Sequence, residues 1–411
     1  MWTLEQCIDT ALTNNRNVKQ QHIAKEARTI AYEQARMDLL PNLNANAGQS
    51  FAFGLAPASD NTLQRSPNSS RTSFNVSSSI TLFDGLRMKH NIDAKKADLY
   101  ASEADLKKIK EDIVLSVSTA FLQVLMNKEL LLLAEDQLAL TKESINERKL
   151  LVENGRMAEG ELYELLAQEA KEELSRVQAG NALKLSLLDL AQILELDDFR
   201  NMDVAVPEHL MDVETALLSP ETVYGNALVT RPEIKSSEYK LQSSEKNVDI
   251  ARSAYYPVLS FGADVSTGYY DLTPNDFSTQ LSDNMSTSLG FTLRIPIFNK
   301  FETKNRVRSA RLEVENSKLE MENTKIALRK TVQQAYQNAL AAQTRWASAG
   351  KSEKAAQEAF RFANQKYNSG RATQYELFQA KNNLAQALSE KTQAKYEYVF
   401  RSMILELYQA P

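Results

Sequence analysis

Catalysis needs reactive groups within reach of one another, and this chain scatters them. His22, His90 and His209 stand far apart, and Cys7 is the sole cysteine. With no spaced Cys or His partner, neither a metal site nor an intrachain disulfide is expected. Asp197-Asp198 is too short an acidic run to argue for calcium. No glycine-rich phosphate loop follows a strand pattern, and no Ser or Cys nucleophile motif is present, so the chain reads as no enzyme and as needing no cofactor. What remains is electrostatic. Glu376, Gln379 and Asn383 recur at i, i+3 and i+7, one stripe of a helix, and Glu161, Glu164 and Gln168 repeat that stripe earlier. All six are polar where a buried seam would carry apolar residues. Just ahead of each stripe stands a Gly-Arg pair, Gly155-Arg156 and Gly370-Arg371, which at a helix end supplies exposed backbone amides and guanidinium donors.

Long helices must position these groups. Residues 86–153 contain neither Gly nor Pro and carry Ile92, Leu99, Leu106, Ile113 and Ala120 at heptad spacing. At about 1.5 Å per residue such a helix runs on the order of 100 Å, too long to fold round one small core. Adding 215 to those positions gives Val307, Val314, Met321, Leu328 and Ala335, a second helix in the same register. The shift also places Phe83 on Phe298, Phe121 on Tyr336 and Leu190 on Leu405; a shift of 216 places Ala11-Leu12 on Ala227-Leu228 and Pro41 on Pro257. The chain therefore reads as a tandem duplication: a first repeat over 1–196, a linker over 197–219 and a second repeat over 220–411. Each long helix ends at its Gly-Arg turn and is followed by a descending helix.

Composition excludes other classes. The 411 residues are 25% charged, with a mean hydropathy of −0.41 and a net charge of −5. No run of uncharged apolar residues reaches the length of a transmembrane helix, and no basic patch invites nucleic acid. Cys7 lies inside the first helical pattern and is not expected to be a lipid anchor.

A first helix is expected over 3–40, entered through Thr3 and Gln6 in capping-box spacing and ended by Pro41. Beyond Pro41 the period becomes two. Strands are expected at 42–55, 73–83, 258–270 and 285–296, with a Pro-, Ser- and Asn-rich loop over 57–71 and a further helix over 220–256. Each strand has an apolar face opposite one of Gly, Ser, Asn and Thr, and about 10 to 13 residues is the length that crosses a bilayer when tilted. Four strands are too few to close a barrel. Two copies would give a barrel filled by side chains, whereas three copies give twelve strands and room for a channel, which suits the small residues on the polar faces. The expected assembly is a homotrimer, whose long helices bury their seams against one another.

The chain resembles the TolC family of outer-membrane efflux proteins. The residues that carry the likeness are Ala11-Leu12-Thr13-Asn14-Asn15, Leu40-Pro41-Asn42-Leu43, Leu82-Phe83-Asp84-Gly85, Tyr256-Pro257-Val258-Leu259, Pro296-Ile297-Phe298 and Tyr367-Asn368-Ser369-Gly370, in that order and spacing over nearly the whole chain. It departs from the family at Arg16, where Pro is common, and at Lys300-Phe301, where a Gly pair is common. The resemblance implies a mainly α fold with a β-barrel portion. Tandem-duplicated helical hairpins would form a periplasmic α-barrel, and four strands per chain a trimeric 12-stranded barrel in outer-membrane lipid. It further implies a passive exit duct for drugs or other exported compounds, docked to a periplasmic adaptor and an inner-membrane transporter. Gly155, Arg156, Gly370 and Arg371 would then meet the adaptor, and Glu376 would ring the closed pore, with Gln379 one turn deeper and Asn383 beyond it. A signal peptide is expected to precede the chain in its natural gene, since such a barrel must cross the inner membrane. The alternative class is a soluble periplasmic coiled-coil scaffold without channel activity.

Overall fold

The first helix starts as its residues dictate: the Thr3 side chain accepts from the Gln6 amide while the Gln6 side chain caps Thr3 in return, a complete capping box. The computed structural model describes residues 1–57, 63–156, 158–196, 202–207 and 218–409. Its elements are α1 (Leu4–Asn14), α2 (Arg16–Met37), β1 (Asn42–Pro57), β2 (Leu63–Phe83), α3 (Arg87–Glu153), α4 (Glu159–Ile193), α5 (Pro220–Thr230), α6 (Pro232–Ser253), β3 (Val258–Tyr270), α7 (Phe277–Asp283), β4 (Ser286–Arg294), α8 (Glu302–Asn368) and α9 (Gln374–Gln409). Asp197, Asp198, His209 and most of the 197–219 segment lie outside the described residues.

Two expected helices are each broken in two. Asn15 leaves helical geometry, and its side-chain oxygen caps α2 by accepting from the amides of Asn17 (2.9 Å) and Val18 (3.4 Å). The Arg16 amide is taken by Glu195 Oε1 at 2.8 Å, and its guanidinium meets the other oxygen of that carboxylate at 3.0 Å. The second break falls at Arg231, where Pro232 opens α6 and has no amide to satisfy. Arg16 therefore does with a carboxylate what Pro does by lacking a donor.

The chain divides into two compact units: Met1–Ala24 with Glu103–Ser236 and Glu322–Pro411, and Lys25–Ser102 with Ser237–Met321. The first unit is helical and holds two cores. Cys7, Ala11, Val117, Phe121, Leu125, Leu190 and Val399 build one, joined by Met202 and Val204, while Val223, Ala227, Ile234, Val332, Ala335 and Leu405 build the other. Burial pushes the Cys7 thiol up to about 11, so it is an inert packing residue. Two core pairs 215 apart match in burial: Val117 and Val332, and Leu190 and Leu405, are all fully enclosed. The heptad seam of α8 is already largely covered within one chain, with Val307, Val314, Leu328 and Ala335 buried; on α3 only Leu99 of the seam is. Contrary to the expectation from composition, one stretch of α3 is long and apolar enough to cross a membrane, with 39% of it buried. The same helix nonetheless buries Val117, Phe121, Leu122, Val124 and Leu125 in a core.

The second unit carries the sheet, ordered β1-β2-β3-β4 and antiparallel throughout. β1 and β2 run past the expected strand ends, so much of the expected 57–71 loop is ladder: Ala56 pairs with Gln64 and Gly54 with Ser66. A ladder satisfies backbone groups whatever the side chains, which is why a Ser- and Asn-rich stretch can still be strand. Helix α7, unforeseen, is capped by Asp276, whose side chain accepts from the Ser278 and Thr279 amides. Gln280 holds the turn from inside: its amide group donates to Asn275 O at 2.7 Å and Tyr270 O at 3.1 Å.

Candidate functional site

The two helical hairpins reverse the chain by one geometry. At the first turn Arg156 N donates to Leu151 O (2.8 Å) and Gly155 N to Val152 O (2.9 Å); at the second Arg371 N donates to Lys366 O (2.8 Å) and Gly370 N to Tyr367 O (2.9 Å). Both are Schellman turns, and both glycines are left-handed, with φ of +68° and +71°. Nothing lies within 4 Å of a side chain added at either glycine. Gly155, Arg156, Gly370 and Arg371 are all exposed, so each turn presents open backbone and a guanidinium.

The descending helices begin differently. α9 opens with a capping box in which Glu376 N donates to Thr373 Oγ1 and Thr373 N to Glu376 Oε2, both at 3.3 Å. α4 opens after Ala158, which has no side-chain cap. The Thr-x-x-Glu spacing was the available signal for this second role of Glu376. Glu376, Gln379 and Asn383 are all exposed on α9. Of their counterparts, Glu164 is exposed, whereas Glu161 and Gln168 are half-buried. Gln168 is engaged between helices, its Nε2 donating to Glu172 Oε1 (2.8 Å) and Asn382 Oδ1 (3.1 Å).

Two contacts near the turns are not apparent from periodicity. The Arg148 guanidinium of α3 lies 4.8 Å from the Tyr367 ring centroid of α8. Burial pushes the Tyr367 phenol up, Arg148 pulls it back and Glu161 adds to the rise. Deeper, Lys381 of α9 donates to Glu172 Oε1 of α4 at 3.1 Å, to the Gln137 carbonyl of α3 at 3.2 Å and to the Thr141 hydroxyl. Thr141 in turn donates to the Glu172 carboxylate. The Lys381 and Glu172 side chains are 12% and 9% exposed, so this is a buried ion pair tying three helices together.

Among the described residues no group of three His, Cys, Asp or Glu could hold a metal ion. His22 is exposed, and His90 lines a hollow with Phe83, Asp249, Arg252 and Tyr256. Helical hairpins with open polar turns, carried in one chain with a sheet of bilayer-length strands, define the fold of an outer-membrane channel.

The chain belongs to the outer membrane efflux protein family, whose profile matches residues 7–195 and 223–408. It is 24% identical over 317 residues to the probable outer membrane lipoprotein SilC of Salmonella typhimurium, a match covering 74% of this chain but 63% of that protein, less than two thirds of its length. Among solved structures it is similar to CusC, with a TM-score of 0.82 at 18% identity over 99% of this chain and 91% of that one. It is also similar to the Campylobacter jejuni CmeC outer membrane channel, with a TM-score of 0.81 at 20% identity over 99% of this chain and 87% of that one. At such identities the likeness speaks for the fold.

Proposed function

We propose that this chain is the outer-membrane channel of a tripartite efflux or export system, a passive duct that acts as a homotrimer with a periplasmic adaptor and an inner-membrane transporter. The observation that carries the reading is the open sheet. Among the described residues β1 and β4 each have one unpaired edge, and open edges do not persist in hydrocarbon. Three such sheets joined edge to edge close a barrel of twelve strands, wide enough for a water-filled lumen. In this reading the two repeats, 1–196 and 220–411, supply like hairpins to one helical wall around a linker at 197–219. The turns at Gly155-Arg156 and Gly370-Arg371 are the adaptor contacts, because they offer exposed backbone and guanidinium donors at the ends of the hairpins. Glu376 rings the constriction, with Gln379 and Asn383 following it along the pore, because that stripe is polar and exposed. A ring of carboxylates in a narrow aqueous pore attracts cations and repels itself, favouring cation entry and easing opening.

Purification tests the reading. The protein is expected to require detergent and to migrate as an oligomer that heating converts to monomer. A helical monomer that stays soluble without detergent would instead point to a periplasmic scaffold.

A further inference from the structure

Among their described side chains the four strands carry few charges, and these lie on one face. Among their described side chains the charged ones are Arg71, Asp264 and Arg294. Pairing fixes their side of the sheet. Ser77 is opposite Asp264 and Asp264 opposite Ser288, so residues in step with these share a face: Arg71, Ser73 and Asn75 on β2, Gly262 and Ser266 on β3, and Ser286, Gly290, Thr292 and Arg294 on β4. The Asn44 and Asn46 side of β1 joins it through Ser77 and Asn75. The other face holds Leu43, Phe74, Val76, Phe261, Val265, Leu289 and Phe291, with Phe261 and Phe291 packed at 5.0 Å. Polar residues on that face include Ser70, Ser78, Thr267 and Thr287, and Gln49 and Thr72, whose side chains satisfy each other by a hydrogen bond.

The three charges are also ordered along the strands. Arg71 is in register with Tyr270, Asp264 with Ser288 and Arg294 with Val258. Each step covers about six residues, or about 20 Å at the rise of a strand. Arg294 lies at the end that leads into α8, Arg71 toward the α7 end, and Asp264 midway, its carboxylate accepting from Asn75 Nδ2. A separation of about 20 Å exceeds the screening length in salt, so the arginines do not neutralise Asp264 but act on whatever passes beside them.

We propose that Arg71, Asp264 and Arg294 are specificity-determining residues of the barrel lumen, and that the two arginine rings make this section favour small anions over cations. The proposal rests on the trimeric channel reading, in which each position is present three times round the lumen. Three charges at about 10 Å from the axis, screened over one Debye length, change local ion concentrations roughly twofold. Arg71→Gln and Arg294→Gln are therefore each expected to move the anion-to-cation permeability ratio of potassium chloride toward cations by about that factor, and Asp264→Asn to move it toward anions.

Reversal potentials in planar bilayers under a salt gradient read this directly. A second measurement asks which face is wet without needing selectivity: in a Cys7→Ala background, Asp264→Cys should react with a water-soluble thiol reagent in the reconstituted protein while Val265→Cys should not. Permeability ratios unchanged in both arginine variants, or labelling of Val265→Cys in place of Asp264→Cys, would overturn the assignment. Wild-type protein that forms no conducting oligomer would overturn the channel reading beneath it.

Discussion

The two hairpins turn alike but are secured differently. Gly155 and Gly370 close matching Schellman turns, yet Ala158 leaves α4 without a side-chain cap where Thr373 and Glu376 lock the start of α9. Further along, the first hairpin has Leu166 where the second has Lys381, and the second has Ala387 where the first has Glu172. The complementary pair Lys381 and Glu172 thus exists only because the two copies diverged, and it joins α9 to α4. Turn geometry is common property of a duplicated backbone, while side chains at matching positions have been assigned opposite parts of one contact. The acid at the second tip, Glu376, is consequently held at a fixed place, whereas Glu161 is half-buried beside Tyr367.

The largest effect should come from making the hairpins alike. Lys381→Leu, which installs the first hairpin's residue, leaves Glu172 buried without its cation and is expected to cost about 3 kcal/mol. Thermal unfolding checks it. Adding Glu172→Ala should recover much of the loss, since the remaining charge is then gone.

A second pair of matching sites, in the sheet-bearing unit, gives the next effects. Gly85 and Lys300 are 215 apart and both left-handed, as are their neighbours Leu86 and Phe301. At Gly85 an added Cβ would lie 2.8 Å from Ser253 O and from Tyr256 Cβ, so Gly85→Ala should lower stability by about 2 kcal/mol. Thr373→Ala, which gives α9 the uncapped start of α4, should lose about 1 kcal/mol, and Ala158→Thr should return a similar amount to α4. The smallest change is a gain: Lys300→Gly relieves left-handed strain but frees the unfolded chain, for a net of about 0.5 kcal/mol.

Much of this was legible in the residues. The heptad run over 86–153 differs from α3 by one residue, its repeat at Val307 to Ala335 falls inside α8, and alternation over 258–270 matches β3, because each period follows from burial on one side. The break at Asn15 escaped because Asn15-Arg16 has no Pro, and the stop depends on Glu195, far away in sequence. Helix α7 escaped because Asp276 caps a run too short to show a period. Glu376 belongs to two patterns at once: the polar stripe points to the pore, while the Thr373-x-x-Glu376 spacing, the same as at Thr3 and Gln6, gives the cap. The Lys381 contact joins helices distant in sequence, and no local rule brings those residues together.

The proposed asymmetry of the two tips is tested most directly with Glu376→Gln and Glu161→Gln trimers in planar bilayers. Gln keeps the capping-box hydrogen bond and removes only the charge. Block by a trivalent cation added on the periplasmic side should weaken roughly tenfold in Glu376→Gln, as expected for loss of three carboxylates around a narrow pore, and change little in Glu161→Gln. Equal effects from the two variants, or none from either, would contradict the placement of the constriction at the second hairpin.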